Sequence, residues 1–421
     1  MKSILKHPLM ELLRNNKGNP RTLILMEPLW GIPFNLIAPF ATLYMYTQGI
    51  TDVQIGLILS VSMVVQVFFS FFGGIITDRF GRKNTTIMGD AFGWVVACLI
   101  WAFSNNFWLF LLAAILNSFD KINWTAWFCL LIEDADPKDL VGVYSWTHIA
   151  GLVAVFLAPI SGLLISNYSL VPVVRVLYVI FAVNMMIKIV ITYRHCTETK
   201  RGLIRMEETK NTPLIKMLNE YKTLVPSILK NREIMKVITI SVILHIYHLI
   251  SSSFFGLYVT QRLGVNQGYL ALFPILNAIV MLIFMVGVQH RLEAVKFRIP
   301  MWSGLVINAV GIILLILTPA GNSIPFIIVH VFFGAIAVAM VVPRKDALLQ
   351  LNIDANERAR INALIITFTI AFASPFGYFA GWLSSIDRRL PFIFLLAITV
   401  IAIFIVGRIR DPEVTEQKSV G

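Results

Sequence analysis

Charge is what this sequence has least of. Asp, Glu, Lys and Arg make up 14% of 421 residues, against 57% hydrophobic residues and a mean hydropathy of +0.77. Soluble domains carry about 25% charged and about 45–50% apolar residues. A chain this long and this apolar cannot hide its apolar surface in one water-soluble core. Cysteine is scarce as well. Cys98, Cys129 and Cys196 are odd in number and scattered, so no disulfide framework or metal-ligand spacing is suggested. The first twenty residues, MKSILKHPLMELLRNNKGNP, hold no uninterrupted apolar core, and a cleaved signal peptide is not expected there. Acidic residues number 23 against 35 basic ones, a formal charge of +12. Placement of the basic residues, not their number, decides whether a nucleic acid is the partner.

Long apolar runs are what the chain has in plenty. A helical crossing needs about 20 mostly apolar residues. Twelve such stretches stand near 22–46, 53–77, 84–103, 107–131, 141–165, 170–192, 235–259, 267–289, 299–318, 324–347, 361–384 and 390–408. An even number puts both termini on one side. If that side is the cytoplasm, 27 Lys and Arg face it, and only Arg175, Arg262, Arg388 and Arg389 face outward. This bias sets the orientation and turns the basic surplus into a topology signal, which argues against a nucleic-acid partner. The expected molecule is an all-α membrane protein of the cell membrane, with 12 transmembrane helices in two six-helix halves. Its parts are a cytoplasmic tail (1–21), a six-helix bundle (22–192), a cytoplasmic central loop (193–234), a second bundle (235–408) and a tail (409–421). In the central loop, Leu214, Ile215, Leu218, Tyr221, Leu224, Val225 and Ile228 form one stripe, which predicts an amphipathic helix on the membrane or on the bundle. The halves are weakly alike. LLIEDADPKDL follows span 4 and LQLNIDANERARI follows span 10, and each leads to a Pro with nearby Gly, in APISG and SPFGYFAG. Two six-span halves of repeated design point to a transporter.

Between spans 2 and 3 stands GGIITDRFGRKNTTI, which fits G-x-x-x-D-R-x-G-R-K through Gly74, Asp78, Arg79, Gly81, Arg82 and Lys83. Gly81 allows a sharp turn, and Gly74 allows a neighbouring helix to approach. Arg82 and Lys83 hold the loop in the cytoplasm. Asp78 is placed to pair with Arg79 or Arg82, or to cap the positive end of another helix. This stretch closely resembles the signature loop of the major facilitator superfamily. The resemblance implies a loop that latches the two halves in the outward-facing state. Asp78 would then lie near the start of span 11, and Arg82 near Glu133 and Asp134. The corresponding place in the second half, GVQHRLEAVKFR, carries Arg291 where the Asp would stand, which makes any latch one-sided. Span 4, LLAAILNSFDKINWTAWF, lacks the Arg and the Gly-rich run of the family's drug–proton antiporters. Their span-5 pattern survives only loosely, as Ala158, Pro159 and Gly162, a helix-kink and packing site.

Ionisable groups inside spans are expensive, about 2.5–3.5 kcal/mol for Asp or Lys at the centre. Asp120 lies eleven residues from the end of span 4, or roughly 16 Å, which is the midplane of a core about 30 Å thick. Lys121 is about 100° away around the helix, so the two do not simply face each other. Asp120 is therefore expected to line a cavity or couple transport, or else to form a buried structural ion pair. The resemblance puts spans 1, 4, 7 and 10 around the cavity, and polar oddities gather there. Span 1 has Glu27, Trp30 and Asn35 with three kinking prolines. Span 4 has Trp124 and Trp127, and span 7 has His245 and His248 on one face. Span 10 ends with Arg344, Lys345 and Asp346. Plainer alternatives stand beside each: interfacial water for Glu27, packing for the histidines, a belt role for Trp127, a protruding helix end for Arg344. Asp90 and Lys188 are expected to be structural.

The function expected is secondary active transport of a small organic solute by alternating access. A carboxylate that is neutral when protonated crosses between states more cheaply than a charged one, so a proton is the expected coupling ion. Asp120 is the first candidate and Glu27 the second. Uptake of a polar solute such as a sugar or glycoside leads, and export of amphipathic or cationic compounds is the alternative. A membrane-embedded enzyme has no metal or nucleophile motif behind it, and a non-transporting sensor stays open. A monomer in the bilayer, without metal or cofactor, is expected.

Overall fold

The computed structural model describes residues 18–135, 140–210, 226, 230–292, 295–321, 323–351 and 358–409. Among these there is no strand. The first half holds span 1 (Asn19–Thr47), span 2 (Asp52–Phe80), span 3 (Arg82–Phe103), span 4 (Phe107–Asn117 and Asp120–Ile132), span 5 (Leu140–Phe156 and Pro159–Tyr168) and span 6 (Leu170–His195). A short linker helix, Lys200–Thr209, follows. The second half holds span 7 (Arg232–Arg262), span 8 (from Gln267 to Leu292), span 9 (Arg298–Leu317), span 10 (Ile324–Leu351), span 11 (Arg358–Ala373 and Pro375–Ile386) and span 12 (Leu390–Gly407). Eleven of these hold a helical run long and apolar enough to cross a membrane; span 4, split into segments of 11 and 13 residues, is not among them. The amphipathic stripe expected over Leu214–Ile228 lies outside the described residues.

Starts and ends of the halves meet on one side, here called the terminal face. Asn19 Nδ2 donates to the Thr197 carbonyl (2.8 Å), and Lys236 Nζ donates to the Arg408 carbonyl (2.8 Å). On the opposite, distal face the halves repeat one device. Tyr44 at the end of span 1 donates to the Trp101 carbonyl of span 3 (3.0 Å), and Tyr258 at the end of span 7 donates to the Leu315 carbonyl of span 9 (2.9 Å). Each ring is buried against a phenylalanine, Phe110 and Phe392 respectively. A buried hydroxyl needs a partner, so this pairing pins the distal ends of three helices in each half.

The two proline breaks also correspond. Pro159 opens the distal segment of span 5 and Pro375 that of span 11. The first packs on the start of span 8, where a Cβ on Gly162 would strike the Gly268 carbonyl. The second packs on span 2, where Gly56 lies against the backbone of Gly377 and Gly381. Small residues let these backbones touch. The contacts that join the halves therefore gather at the distal end.

Candidate functional site

Span 4 breaks for a local reason. Ser118 Oγ bonds back to the Ala114 carbonyl (3.0 Å) and also reaches the Ser62 carbonyl of span 2 (3.1 Å). Lys121 and Ile122 take i−3 carbonyls, from Ser118 and Phe119. Such back-bonding and tightening bend a helix. Asp120 thus becomes the first residue of a new helical segment, Asp120–Ile132. A carboxylate is favoured at a helix N-terminus, which explains how an acid sits at this depth.

Span 3 is reshaped opposite the break. Residues Ala91–Val96 form a π-turn, a one-residue insertion often found at functional sites. It carries Trp94, whose Nε1 donates to Asp120 Oδ1 at 2.8 Å. Asn117 Nδ2 donates to the Gly93 carbonyl at 2.7 Å. A Cβ on Gly93 would approach Asp120 N at 3.1 Å, so glycine is what lets spans 3 and 4 meet here. An aromatic screen surrounds Trp94: Trp30 at 5.6 Å and Phe34 at 6.1 Å from span 1, and Phe181 at 5.0 Å from span 6.

One turn further along span 4, Asn123 Nδ2 donates to Asp90 Oδ1 (2.6 Å). Asp90 Oδ2 pairs with Lys188 Nζ of span 6 at 3.2 Å, and both side chains are buried. This pair joins spans 3, 4 and 6. Lys188 and Asp90 both act electrostatically on Glu27 of span 1 and on Asp120. Glu27 shares a face with Trp30 and Phe34, which stack at 4.8 Å. Within the first half Asp90, Asn123 and Lys188 are thus bonded to one another, with Glu27 and Asp120 in electrostatic reach of them. The Asp90–Lys188 pair was expected to be structural. Its signal in the sequence is two opposite charges at matching depth, about 12 Å into span 3 and about 10 Å into span 6 from the terminal face.

Lys121 is turned the other way. Its Nζ donates to no described residue, and it acts electrostatically on His245 of span 7, in the opposite half. Trp124 follows at i+3 and Phe128 at i+7, so all three share a face. Trp124 is 60% exposed and stacks on Trp127 (5.7 Å) and Phe128 (6.4 Å). On span 7, in the other half, His248 is exposed and His245 is half-buried. Trp127 itself is buried.

The remaining candidates are placed as follows. Asn35 Nδ2 bonds within its own helix to the Gly31 carbonyl (2.8 Å). Arg344 is buried and donates to the Met340 and Leu292 carbonyls (3.0 and 3.2 Å), which ties span 10 to the end of span 8. Lys345 pairs with its neighbour Asp346 at 2.6 Å. Among the described residues no group of three or more His, Cys, Asp or Glu converges as a metal site.

At the terminal face the loop after span 2 is tightly held. Gly81 turns the chain at φ 87°, a conformation that favours glycine. Arg82 makes a two-pronged contact with Glu133 (3.0 and 3.1 Å) and pairs with Asp78 (3.0 Å). Asp78 is taken on its other oxygen by Arg205 of the linker helix, at 2.8 and 3.1 Å. These hydrogen bonds push the Arg205 guanidinium above its ordinary pKa. Glu198 accepts from the backbone N–H of Arg82 and of Lys83 (3.0 Å each) and so caps span 3. Thr199 donates to Glu133 (2.6 Å), and Lys200 N–H donates to Asp134 (3.3 Å). Arg79 is exposed. Asp78 is held by Arg205 of the linker helix, and the side chains at 352–360, where the resemblance would put its partner, lie outside the described residues. One expectation is revised. The close approach of a neighbour falls on Gly73, against Lys121–Thr125 of span 4, while Gly74 faces open space.

A family model for the Major Facilitator Superfamily matches residues 29–378. The chain belongs to that superfamily. It is similar to an uncharacterized MFS-type transporter, YqjV, of Bacillus subtilis, with 32% identity over 127 residues. That match covers 30% of this chain and 31% of YqjV. It is also similar to the multidrug resistance protein MdtG of a Rahnella species, with 32% identity over 156 residues, covering 34% of this chain and 36% of MdtG. The chain thus matches only about a third of the length of these relatives. In structure it resembles the nucleoside transporter NupG, with a TM-score of 0.72, 14% identity, and coverage of 93% of this chain and 98% of NupG. At that identity the likeness speaks for the superfamily fold alone.

Proposed function

We propose that this superfamily member is a proton-coupled secondary transporter, working as a monomer in the cell membrane. It moves a small organic solute by rocking two six-helix halves about a midplane site. The Lys and Arg bias supports a cytoplasmic terminal face. With the halves joined at the distal end, we read this state as the one that faces the cytoplasm.

The observation that carries the coupling is Asp120. It is a midplane carboxylate at a helix break, held by one hydrogen bond from a neutral indole rather than locked to a cation. A proton taken up there removes a charge whose passage between states is costly. Trp124, Lys121 and the two histidines offer a flat apolar face beside polar groups. A ring-shaped polar solute such as a sugar or glycoside meets that description. The reading as export of amphipathic compounds is favoured by one observation, the kinship with a protein named for multidrug resistance.

Proteoliposomes loaded with a pH-sensitive dye test this. Sugars, glycosides, organic anions and lipophilic cations are added in turn, and solute-dependent proton flux is recorded. A responding solute is expected, with Asp120→Asn losing pH-driven accumulation while keeping downhill exchange. Undiminished pH-driven accumulation in Asp120→Asn would sink the coupling role. The sign of the flux separates symport from antiport.

A further inference from the structure

We propose that the solute is an organic anion, a carboxylate borne beside a flat ring, and that Lys121 selects it. This rests on the transport reading above and narrows its substrate class.

Lys121 and Lys188 are both deep in the first half, yet among the described residues only Lys188 forms an ion pair; Lys121 has the longer-range attraction of its neighbour Asp120 alone. Asp120, the adjacent acid, is turned to Trp94 in span 3. The second half supplies no counter-charge among the described residues. Glu233 pairs with Lys236, Asp346 with Lys345 and Asp387 with Arg262, all near span ends. Beyond Glu233 near its start, span 7 carries no carboxylate, and His245 and His248 stand in its middle. A cation left open at this depth is costly unless a partner arrives. An incoming carboxylate is that partner. Lysine is a compact point charge on a flexible stem, suited to one charge-assisted contact with a mobile ligand.

Trp124 adds the second half of the recognition. It stands three residues from Lys121, about 4.5 Å further along the axis on the same face. One solute that bears a ring and a carboxylate can therefore engage both side chains. Trp124 is largely exposed, although its neighbours Trp127 and Phe128 support it from one side. An indole with one face covered and one free is a stacking platform.

The test compares 4-nitrophenyl β-glucuronide with 4-nitrophenyl β-glucoside, which differ in carboxylate against hydroxymethyl. Binding to the full chain in detergent is read from quenching of tryptophan fluorescence by the nitrophenyl group. The glucuronide is expected to bind at least about tenfold more tightly. Lys121→Met should erase that difference and Lys121→Arg should keep most of it, with melting curves confirming that both variants fold. Equal binding of the two probes by the unmodified protein overturns the proposal. So does discrimination that survives in Lys121→Met, or the absence of quenching by either probe up to millimolar concentration. Discrimination without any proton flux in liposomes would instead strike the transport reading and leave the anion site standing. Proton flux with a neutral or cationic solute would do the opposite.

Discussion

The two faces of the molecule use the same chemistry for opposite ends. On the terminal face Arg82, Asp78, Glu133, Glu198 and Arg205 form a lattice of charge-assisted bonds. Every member belongs to the first half or to the linker helix that follows it. On the distal face Asp52 of span 2 is buried, accepts from Ser384 Oγ of span 11 (2.6 Å) and pairs with Arg388 (3.2 Å). Arg388 also lies over the Tyr46 ring at 4.8 Å. Ser60 Oγ accepts from the Tyr378 backbone N–H at 2.7 Å. This second group crosses from one half to the other. A rocking cycle can leave the terminal lattice whole, since it moves as one body. In the rocking cycle proposed above, the distal clasp must open once in each turn. Charge pairs of similar length are therefore predicted to differ in what they control: stability on one face, conformational balance on the other.

The strongest break in that comparison is Arg82→Ala. It removes the cation between Glu133 and Asp78, leaving them with Thr199 and Arg205 alone, and breaking a fully buried pair costs about 3–5 kcal/mol, an upper bound for this partly buried site. A clear fall in melting temperature in detergent is expected. A melting temperature equal to that of the unmodified protein would show that the lattice is not structural.

Asp52→Asn comes next. The amide keeps an acceptor for Ser384 but loses the ion pair with Arg388, and hydrogen bonds to charged groups are worth about 1.5–3 kcal/mol. The expected outcome is a roughly tenfold larger population open on the distal face, with little change in melting. Thiol labelling of a cysteine placed at Gln261, beside the clasp, reads this directly. An unchanged labelling rate would place the barrier elsewhere, in the Gly56–Gly377–Gly381 contact.

Reading of the sequence reached the fold further than the site, and the reason is physical. Twenty-residue apolar runs announce spans regardless of what packs on them, so all twelve stand within a few residues of where hydropathy puts them. Gly81 and Arg82 were legible because the family's loop carries them in a fixed spacing, and Glu133 because the resemblance implies an acidic end of span 4 near Arg82. The break at Ser118 was not, since a serine bonding back to its own helix looks the same in sequence as one facing a neighbour. Trp94 gave no sign either. It reaches Asp120 only through a π-turn, and an inserted backbone residue leaves no mark in composition. The partner of Asp78 depended on tertiary placement of a linker helix whose stripe of charge reads as a solvated surface. Asp90 and Lys188 showed their depth but not their mutual distance, nor Asn123 between them.

The linker helix offers the finest test of the contrast between faces. Arg205 is 37% exposed and its contacts to Asp78 and Glu208 lie at the protein's edge. Exposed pairs contribute about 0–1 kcal/mol, so Arg205→Gln should move the melting temperature only slightly. Its effect on conformation is another matter. Arg205 occupies the Asp78 carboxylate, which the loop's resemblance implies would meet span 11 in a closure of the terminal face. Removing it should free Asp78 for that closure. Labelling at Gln261 should then rise by about twofold to fivefold, a shift of under about 1 kcal/mol. The direction matches Asp52→Asn although the residue sits at the other end of the molecule. A fall in labelling would mean that Arg205 supports closure of the terminal face rather than competing with it.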